Sequence, residues 1–363
     1  MRGDVKKQAS FLSIVGPEQR VPKDHPIRRI KALADAELER LSPELDAMYA
    51  GGGRPSIPPE SLLKACLLIA LFSVRSERQF CERLNYDLMF RYFLDMGMED
   101  EGFDASSFAK NKERLLEADI ARLFFDGVVR RAKEGRLMSA EHFTVDGTLI
   151  EAWASVKSFK PKGDPNDKPP DDPGNPTVNF HGQKRSNDTH ESTTDPESKL
   201  ATKGGHQAAK LSYAAHVLME NRNGLCVDIE LTQASGTAER DGALAMLDRQ
   251  AERGIFPRTL AADAGYDVHQ FGVDLRARKT TPHIAQSRDP RRRRHVVSDR
   301  VAAGIPYQLS QRARKKVEEI FGWAKTVGGF RKTRYRGRPK NSLWAYVTGA
   351  AYNLVRLAKL LPA

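Results

Sequence analysis

Cysteine is nearly absent from this chain. The three present in 363 residues, Cys66, Cys81 and Cys226, are far apart, odd in number and show no CxxC spacing. That excludes a disulfide framework and a structural zinc site, and it suits a reducing cytoplasm. Long apolar runs are missing too. The longest, ACLLIALF at 65–72, falls far short of the ~18 residues of a membrane span and reads as a buried helix. The N-terminus, MRGDVKKQASFLSIVG, lacks the apolar stretch of a secretory signal. Acidic residues are scarce in one place only. Between Arg288 and Lys340 there are seventeen Lys and Arg against four Asp and Glu, so this block carries essentially the whole net charge of +12. A basic block in an otherwise neutral protein points to nucleic acid. A solvated basic tail is the bland alternative, but Val317, Ile320, Phe321, Trp323 and Phe330 interleave the charges and argue against it.

What is there reads as two kinds of chain. After a tail at 1–24, residues 25–136 look all-helical. Gly51–Gly53 stops one helix, an apolar helix spans 59–73, Ser76 caps a shorter one, and Asp104 or Ser106 caps a helix carrying Lys110, Lys112 and Arg114 on exposed faces. Short helices with a basic one among them suit a helix-turn-helix-like DNA module, or equally a bundle used for dimerisation. From 137 to 363 the pattern turns to strands. EHFTVDGTLIEAWAS alternates around Val145; LSYAAHVLME and LCVDIELTQ flank an NRNG turn as an antiparallel hairpin. A helix over 239–253, a strand in TLAADAGYD, a helix over 269–279, an edge strand at 281–287 and two more helices complete the order. Residues 157–210, rich in Pro, Asp, Asn and Ser, read as a flexible insertion with little to bury. A three-strand meander followed by helix-separated strands predicts an α/β catalytic domain of RNase H-like fold, a mixed sheet flanked by helices, behind an all-α N-terminal domain.

In such a sheet the middle of the first strand lies beside the C-terminal end of the fourth. Asp146 occupies the first position and Asp263 the second. An acid in an apolar strand is unusual, since burying it unpaired costs roughly several kcal/mol. Either alone is as well read as a turn or cap; together they favour a site. Gly147 and Gly265 follow closely and let a ligand approach. In RARKKVEEIFGWAKTVGGFRKTRYRG, a helical period of about 100° per residue places Glu318 on the border of the Val317–Ile320–Ala324 stripe, on one face with Arg314 and Lys325. Glu319 points away, as a solvated partner for Lys315 or another base. Three carboxylates suit two Mg²⁺ or Mn²⁺ ions acting on a DNA phosphodiester.

RPSIPPESLLKACLLIALFSVRSERQFCERLNYDLMFRYFL, VDGTLIEAWASVKSF, LAADAGYD and RKKVEEIFGWAKTVGGFRKTRYRG, in that order, resemble the DDE transposases of bacterial insertion sequences. Their C-terminal signature is Tyr-x2-Arg-x3-Glu-x6-Lys; here Gln311 stands at the Tyr position. The resemblance implies that Asp146, Asp263 and Glu318 form the catalytic and metal-binding triad, with Arg314 and Lys325 as its accompanying cations. It implies cleavage of terminal inverted repeats in double-stranded DNA and transfer of the 3′-hydroxyl into target DNA, by a dimer in the cytoplasm. Arg331, Lys332, Arg334 and Arg336, with Lys110, Lys112 and Arg114, are further expected DNA contacts. A nuclease without strand transfer and a non-catalytic DNA-binding repressor remain open alternatives. His142, His206, His216 and His283 are expected to make local hydrogen bonds only, and Trp323 and Trp344 to pack.

Overall fold

Capping residues set the helices of the first third. The computed structural model describes residues 15–48, 56–117, 119–163, 185–203, 207–289 and 294–361, so the glycine stop at 51–53 lies outside the described residues. Helices α1 (Pro17–Arg20), α2 (Pro26–Arg40), α3 (Ser42–Asp46), α4 (Pro59–Leu71), α5 (Glu77–Leu84), α6 (Leu88–Phe93), α7 (Ala105–Glu117) and α8 (Ile120–Glu134) follow in order. Ser76 caps α5, accepting from the Gln79 amide at 3.1 Å. Asp104 rather than Ser106 caps α7, accepting from Ser107 N at 2.8 Å. Leu62 through Ala70 are all buried. A helix apolar on every side needs covering on every side, and α4 obtains it from α7 and from the last helix, α14 (Arg338–Leu360).

Strand β1 (His142–Glu151) is the axis of the sheet. Across one edge it pairs antiparallel with β5 (Lys210–Glu220), which pairs antiparallel with β6 (Leu225–Gln233). The NRNG turn between them closes at Gly224, whose φ of +64° a side chain would strain. Across its other edge β1 pairs in parallel with β7 (Thr259–Ala262), and β7 with β8 (Thr281–Ile284) at the rim. Between the last strands run α9 (Ala238–Glu252) and α10 (His269–Ala277), and after them come α11 (Asp299–Ala302), α12 (Ile305–Arg314) and α13 (Val317–Thr326). Helix α9 lies over the sheet face of Gly147 and His216; α13 and α14 cover the face of Ile150 and Val217. This is the RNase H-like fold expected from the strand order.

Three expectations need correction. Residues 157–210 are not an insertion with nothing to bury. Strands β2 (Phe159–Pro161) and β3 (His190–Ser192) form a small two-stranded sheet, and β4 (Lys199–Ala201) pairs with the start of β5. Phe159, His190, Ser192 and Asp195 are buried there; Asp195 accepts from Tyr213 Oη at 2.7 Å and from Gly337 N at 3.2 Å. Polar residues build much of this cap by bonding to one another, Ser158 Oγ with Ser192 Oγ at 2.7 Å among them, although Asp195 Oδ2 has no partner among the described residues. Residues 164–184 of the insertion lie outside the described residues. Second, the helix expected to run through Arg314, Glu318 and Lys325 is two helices, α12 and α13. At the turn, i to i+3 bonds replace the α-helical pattern: Glu318 N donates to Lys315 O and Glu319 N to Lys316 O, at 3.1 and 3.0 Å. Third, the helical region and the sheet share one apolar core from Val21 to Ala358, because α14 packs against α2, α4 and α8 as well as β6. Asn353 pins α14 to β6, bonding both N and O of Cys226 at 2.9 and 2.7 Å.

His216 on β5 is fully buried, its Nε2 paired with Thr232 Oγ1 at 2.8 Å, and Gly242 of α9 sits so close that a Cβ there would come within 2.7 Å of the ring. Burial pushes its pKa down to about 4, against a smaller upward pull from Asp241. A folded-state pKa below the unfolded one means that the unfolded chain binds more protons. The stabilisation is complete above about pH 6.5 and falls as the pH drops toward 4, by roughly 3 kcal/mol in all. His216→Gln is expected to flatten the pH dependence of urea-unfolding free energy across that window relative to wild type; parallel curves would refute the assignment.

Candidate active site at the β1–β7 edge

The parallel register decides the site. Thr144 pairs with Ala261, and extending that register two residues sets Asp146 opposite Asp263, one residue past the end of β7. Both side chains are half-buried. Asp146 Oδ1 accepts from Gly147 N and Asp263 Oδ1 from Gly265 N, each at 2.8 Å, and the second bond caps the turn Ala264–Tyr266. Burial raises the Asp146 carboxyl to about 6, and the charges of Asp263 and Glu239 add to the rise against the pull of Arg314.

The cations are placed by separate anchors. Gln311 donates its side-chain amide to the carbonyls of Ala262 and His283, fastening α12 to the ends of β7 and β8, and accepts from Arg314 Nε at 3.3 Å. The residue that departs from the Tyr signature therefore has a task here: it tethers the helix and orients Arg314 beside Asp146. Lys325 reaches β1 from α13 and donates to Thr148 Oγ1 at 2.5 Å. Thr148 lies two residues from Asp146, on the same strand face. Burial lowers the Lys325 pKa to about 8, with Lys203 and Arg331 adding to the fall.

Glu318 is exposed in the first turn of α13 and is not gathered with the two aspartates; among the described residues no three His, Cys, Asp or Glu side chains stand close enough to hold one ion. Glu319 pairs with Arg356 of α14 at 3.2 Å, a surface ion pair.

Residues 177–354 match the family described as "Transposase DDE domain", and residues 16–114 match "Transposase domain (DUF772)". The chain belongs to the DDE transposases. Among solved structures it is similar to a piggyBac transposase synaptic complex with hairpin DNA, at 10% identity over 93% of this chain and 73% of that one, TM-score 0.41. A Mos1 transposase paired-end complex with the left transposon end aligns at 12% identity over 78% and 82%, TM-score 0.21. Likeness at these scores adds nothing to the argument from the family and the register.

Of the other expected DNA contacts, two are engaged elsewhere. Lys112 is buried, ion-paired with Glu77 and bonded to Tyr335 Oη at 2.8 Å. Arg334 packs over the Trp344 ring, 4.9 Å from its centroid, and burial lowers its pKa. Lys110, Arg114, Arg331, Lys332 and Arg336 are exposed; Lys332 lies 3.6 Å from Glu151, and Arg114 3.5 Å from Ser56 Oγ. Trp344 is buried and Trp323 stacks edge-on with Tyr352. His142 pairs with Thr259 Oγ1 at 2.7 Å, while His283 is buried between His142 and Tyr307. His206 lies outside the described residues.

The sequence reading missed Glu239. This first-turn residue of α9 is exposed as a whole, but its carboxylate tucks over Gly147, where a Cβ would meet Oε1 at 2.8 Å. Partial burial and the Asp263 charge raise its pKa. The signal was Gly147 itself: a glycine inside a central strand marks a close approach, here by this side chain rather than a ligand.

Lys112→Ala is expected to lower unfolding free energy by about 1–3 kcal/mol, since it removes the charged partner of the partly buried Glu77 and leaves it the Tyr335 hydroxyl alone, with no change in the salt dependence of DNA binding. Replacing Lys110, Arg331 or Arg336 should leave stability alone and each lower the slope of log K against log salt by about 1. Denaturant melts and filter binding at several salt concentrations separate the two classes.

Proposed function

We propose that this chain cleaves the ends of its DNA element and joins the freed 3′-hydroxyl to target DNA, with Asp146, Asp263 and Glu318 as the metal-binding catalytic triad. The observation that carries the reading is the alignment of Asp146 with Asp263 across the β1–β7 register, with the Arg314 charge acting on Asp146 and Lys325 of α13 bonded to Thr148 on the same strand as Asp146. Two half-buried carboxylates that repel one another are a poor resting state without a counter-ion. Hard oxygen donors are what Mg²⁺ or Mn²⁺ takes, so the donor set fits. Glu318 would join from α13. It stands seven residues from Lys325, hence nearly aligned with it and about 10 Å along the helix, and Lys325 already reaches the face of β1 that carries Asp146.

Bound at this edge, two divalent ions would activate a water or 3′-hydroxyl and take up charge on the leaving oxygen. The chain's own groups receive the phosphate. Arg314, oriented by Gln311, and Lys325, seated on Thr148, lie on either side of Asp146. Burial penalises the Lys325 charge, and an incoming phosphodiester would offset that penalty. In hydrolysis a water oxygen bonds to phosphorus and the 3′-oxygen leaves as a hydroxyl. In joining, that hydroxyl attacks a target phosphodiester and a second 3′-oxygen leaves. The exposed cations of α7 and of the stretch after α13 supply sequence-independent phosphate contacts. We assign residues 25–136 to recognition of the ends and the sheet with its helices to chemistry, in a dimer acting on double-stranded DNA in the cytoplasm.

Incubated with the inverted repeats that flank its gene and with Mg²⁺, the protein should nick at the element boundary. Asp146→Asn, Asp263→Asn and Glu318→Gln should each reduce nicking at least ~100-fold, the loss of one oxyanion-type stabilisation being of that order. Glu319→Gln should stay within a few-fold of wild type, because an exposed pair contributes about 0–1 kcal/mol. Equal losses in Glu318→Gln and Glu319→Gln would overturn the triad. Pre-cleaved ends that bind but never join would identify a nuclease, and binding without any metal-dependent cleavage a repressor.

A further inference from the structure

We propose that Glu239 is a fourth carboxylate of the divalent-ion site, reaching the β1–β7 edge from the sheet face opposite α13, with the Tyr266 hydroxyl as its fixed hydrogen-bond donor. The inference rests on the reading of Asp146 and Asp263 as metal ligands and adds a member that the triad does not contain.

Its first support is placement. The Glu239 carboxylate spans the two glycines that follow the aspartates. One oxygen lies 2.8 Å from where a Gly147 Cβ would be; the other lies 3.8 Å from a Gly265 Cβ, which would itself stand 3.0 Å from Asp263 Oδ1. Those glycines donate their amides to Asp146 and Asp263, so the Glu239 carboxylate lies over the two backbone segments that carry the aspartates, β1 and the turn after β7. An acid in the first turn of a helix is ordinarily explained by the helix dipole, but that account leaves the side chain turned to water. Here it is folded inward over a strand. The adjacent cation does not explain it either, because Arg240 turns to the carbonyls of Gly265 and Gly236, at 3.5 and 3.2 Å.

Tyr266 is the second, independent support. It is fully buried beside Phe271, and its hydroxyl has no hydrogen-bond partner among the described residues. A buried hydroxyl is seldom left unsatisfied. The charges of Glu239, Asp146 and Asp263 act on it, opposed by that of Arg240. It sits in the turn that Asp263 caps, with Tyr266 N donating to Asp263 O at 3.2 Å, so its position is fixed by the same residue that would ligate the ion. A carboxylate that ligates a cation through one oxygen keeps the other as an acceptor, and a small shift of Glu239 toward a bound ion would bring that oxygen to the Tyr266 hydroxyl, the partner it lacks among the described residues.

The test is Mn²⁺ binding to the full chain without DNA, by the EPR signal of free Mn²⁺, with thermal melts at each concentration. Wild type should bind, and Asp146→Asn should lose binding. Glu239→Gln should weaken affinity about tenfold without lowering the metal-free Tm, since it removes a like charge. Tyr266→Phe should weaken it several-fold, again with the metal-free fold intact, which a purely structural tyrosine would not do. If Glu239→Gln binds Mn²⁺ as wild type does while Asp146→Asn does not, the inference fails and the triad reading stands. If wild type binds no Mn²⁺ at millimolar concentration, both fail. If Glu239→Gln weakens binding and Tyr266→Phe does not, the hydroxyl has no part in the site.

Discussion

Thr144 opposite Ala261 is a small fact on which the meeting of the two strand-end aspartates depends. A parallel pair of that register leaves Asp146 and Asp263 level with one another at the point where β7 runs out. One residue of slip in β7 would send Asp263 to the other face of the sheet. The register is held by groups away from the site: Arg258 N and Thr259 N donate to the carbonyls of Ala140 and Glu141, and Thr281 N to Arg258 O, at 2.8 to 3.0 Å. Burial on both faces of β1, with Phe143, Thr144 and Val145 inaccessible, leaves the strand no alternative pairing that keeps its apolar residues from water. Two carboxylates are therefore brought together by a framework whose stability comes from elsewhere.

The basic block looked uniform and is not. Its charges divide by what burial does to each. Arg334 covers Trp344, and from α7 the buried Lys112 closes on Tyr335 in the same region; these hold the segment after α13 against the helical part. Lys316 donates to Asn221 O at 2.9 Å and fixes the turn between α12 and α13. Only after these structural tasks are subtracted do the exposed cations remain for phosphate. Interleaved apolar residues, which argued in the sequence against a free tail, are the reason: a chain with Val317, Ile320 and Ala324 buried carries its cations into contact with protein as well as solvent.

The sheet was legible because strand order and alternation are local properties, and Asp146 and Asp263 followed from that order. The cap around β2–β4 was not, because its stability lies in polar groups satisfying one another, as Asp195 does with Tyr213 and Gly337, and composition scores such a segment as unable to fold. Lys112 was misplaced because a helical period says which residues share a face, not which face meets another element. Glu239 escaped for a related reason. Its own surroundings are those of an ordinary helix start; what distinguishes it belongs to Gly147, ninety-odd positions earlier.

The break at Lys315–Lys316 bears on how a spacing becomes a site. In a continuous helix, Arg-x3-Glu-x6-Lys lines up three charges on one face. Here two turn residues with i to i+3 bonding advance the chain at about 3 residues per turn instead of 3.6, and each contributes roughly 20° of extra rotation. Arg314 is thereby turned relative to Glu318, toward β7, where Gln311 holds it beside Asp146. Glu318 and Lys325, both within α13, keep their alignment, and Lys325 lies against β1. The two cations are thus anchored separately, Arg314 by Gln311 of α12 and Lys325 by Thr148 of β1, and Glu318 is exposed. Spacing alone, read on one straight helix, puts all three charges on a single face; the break separates Arg314 from the other two.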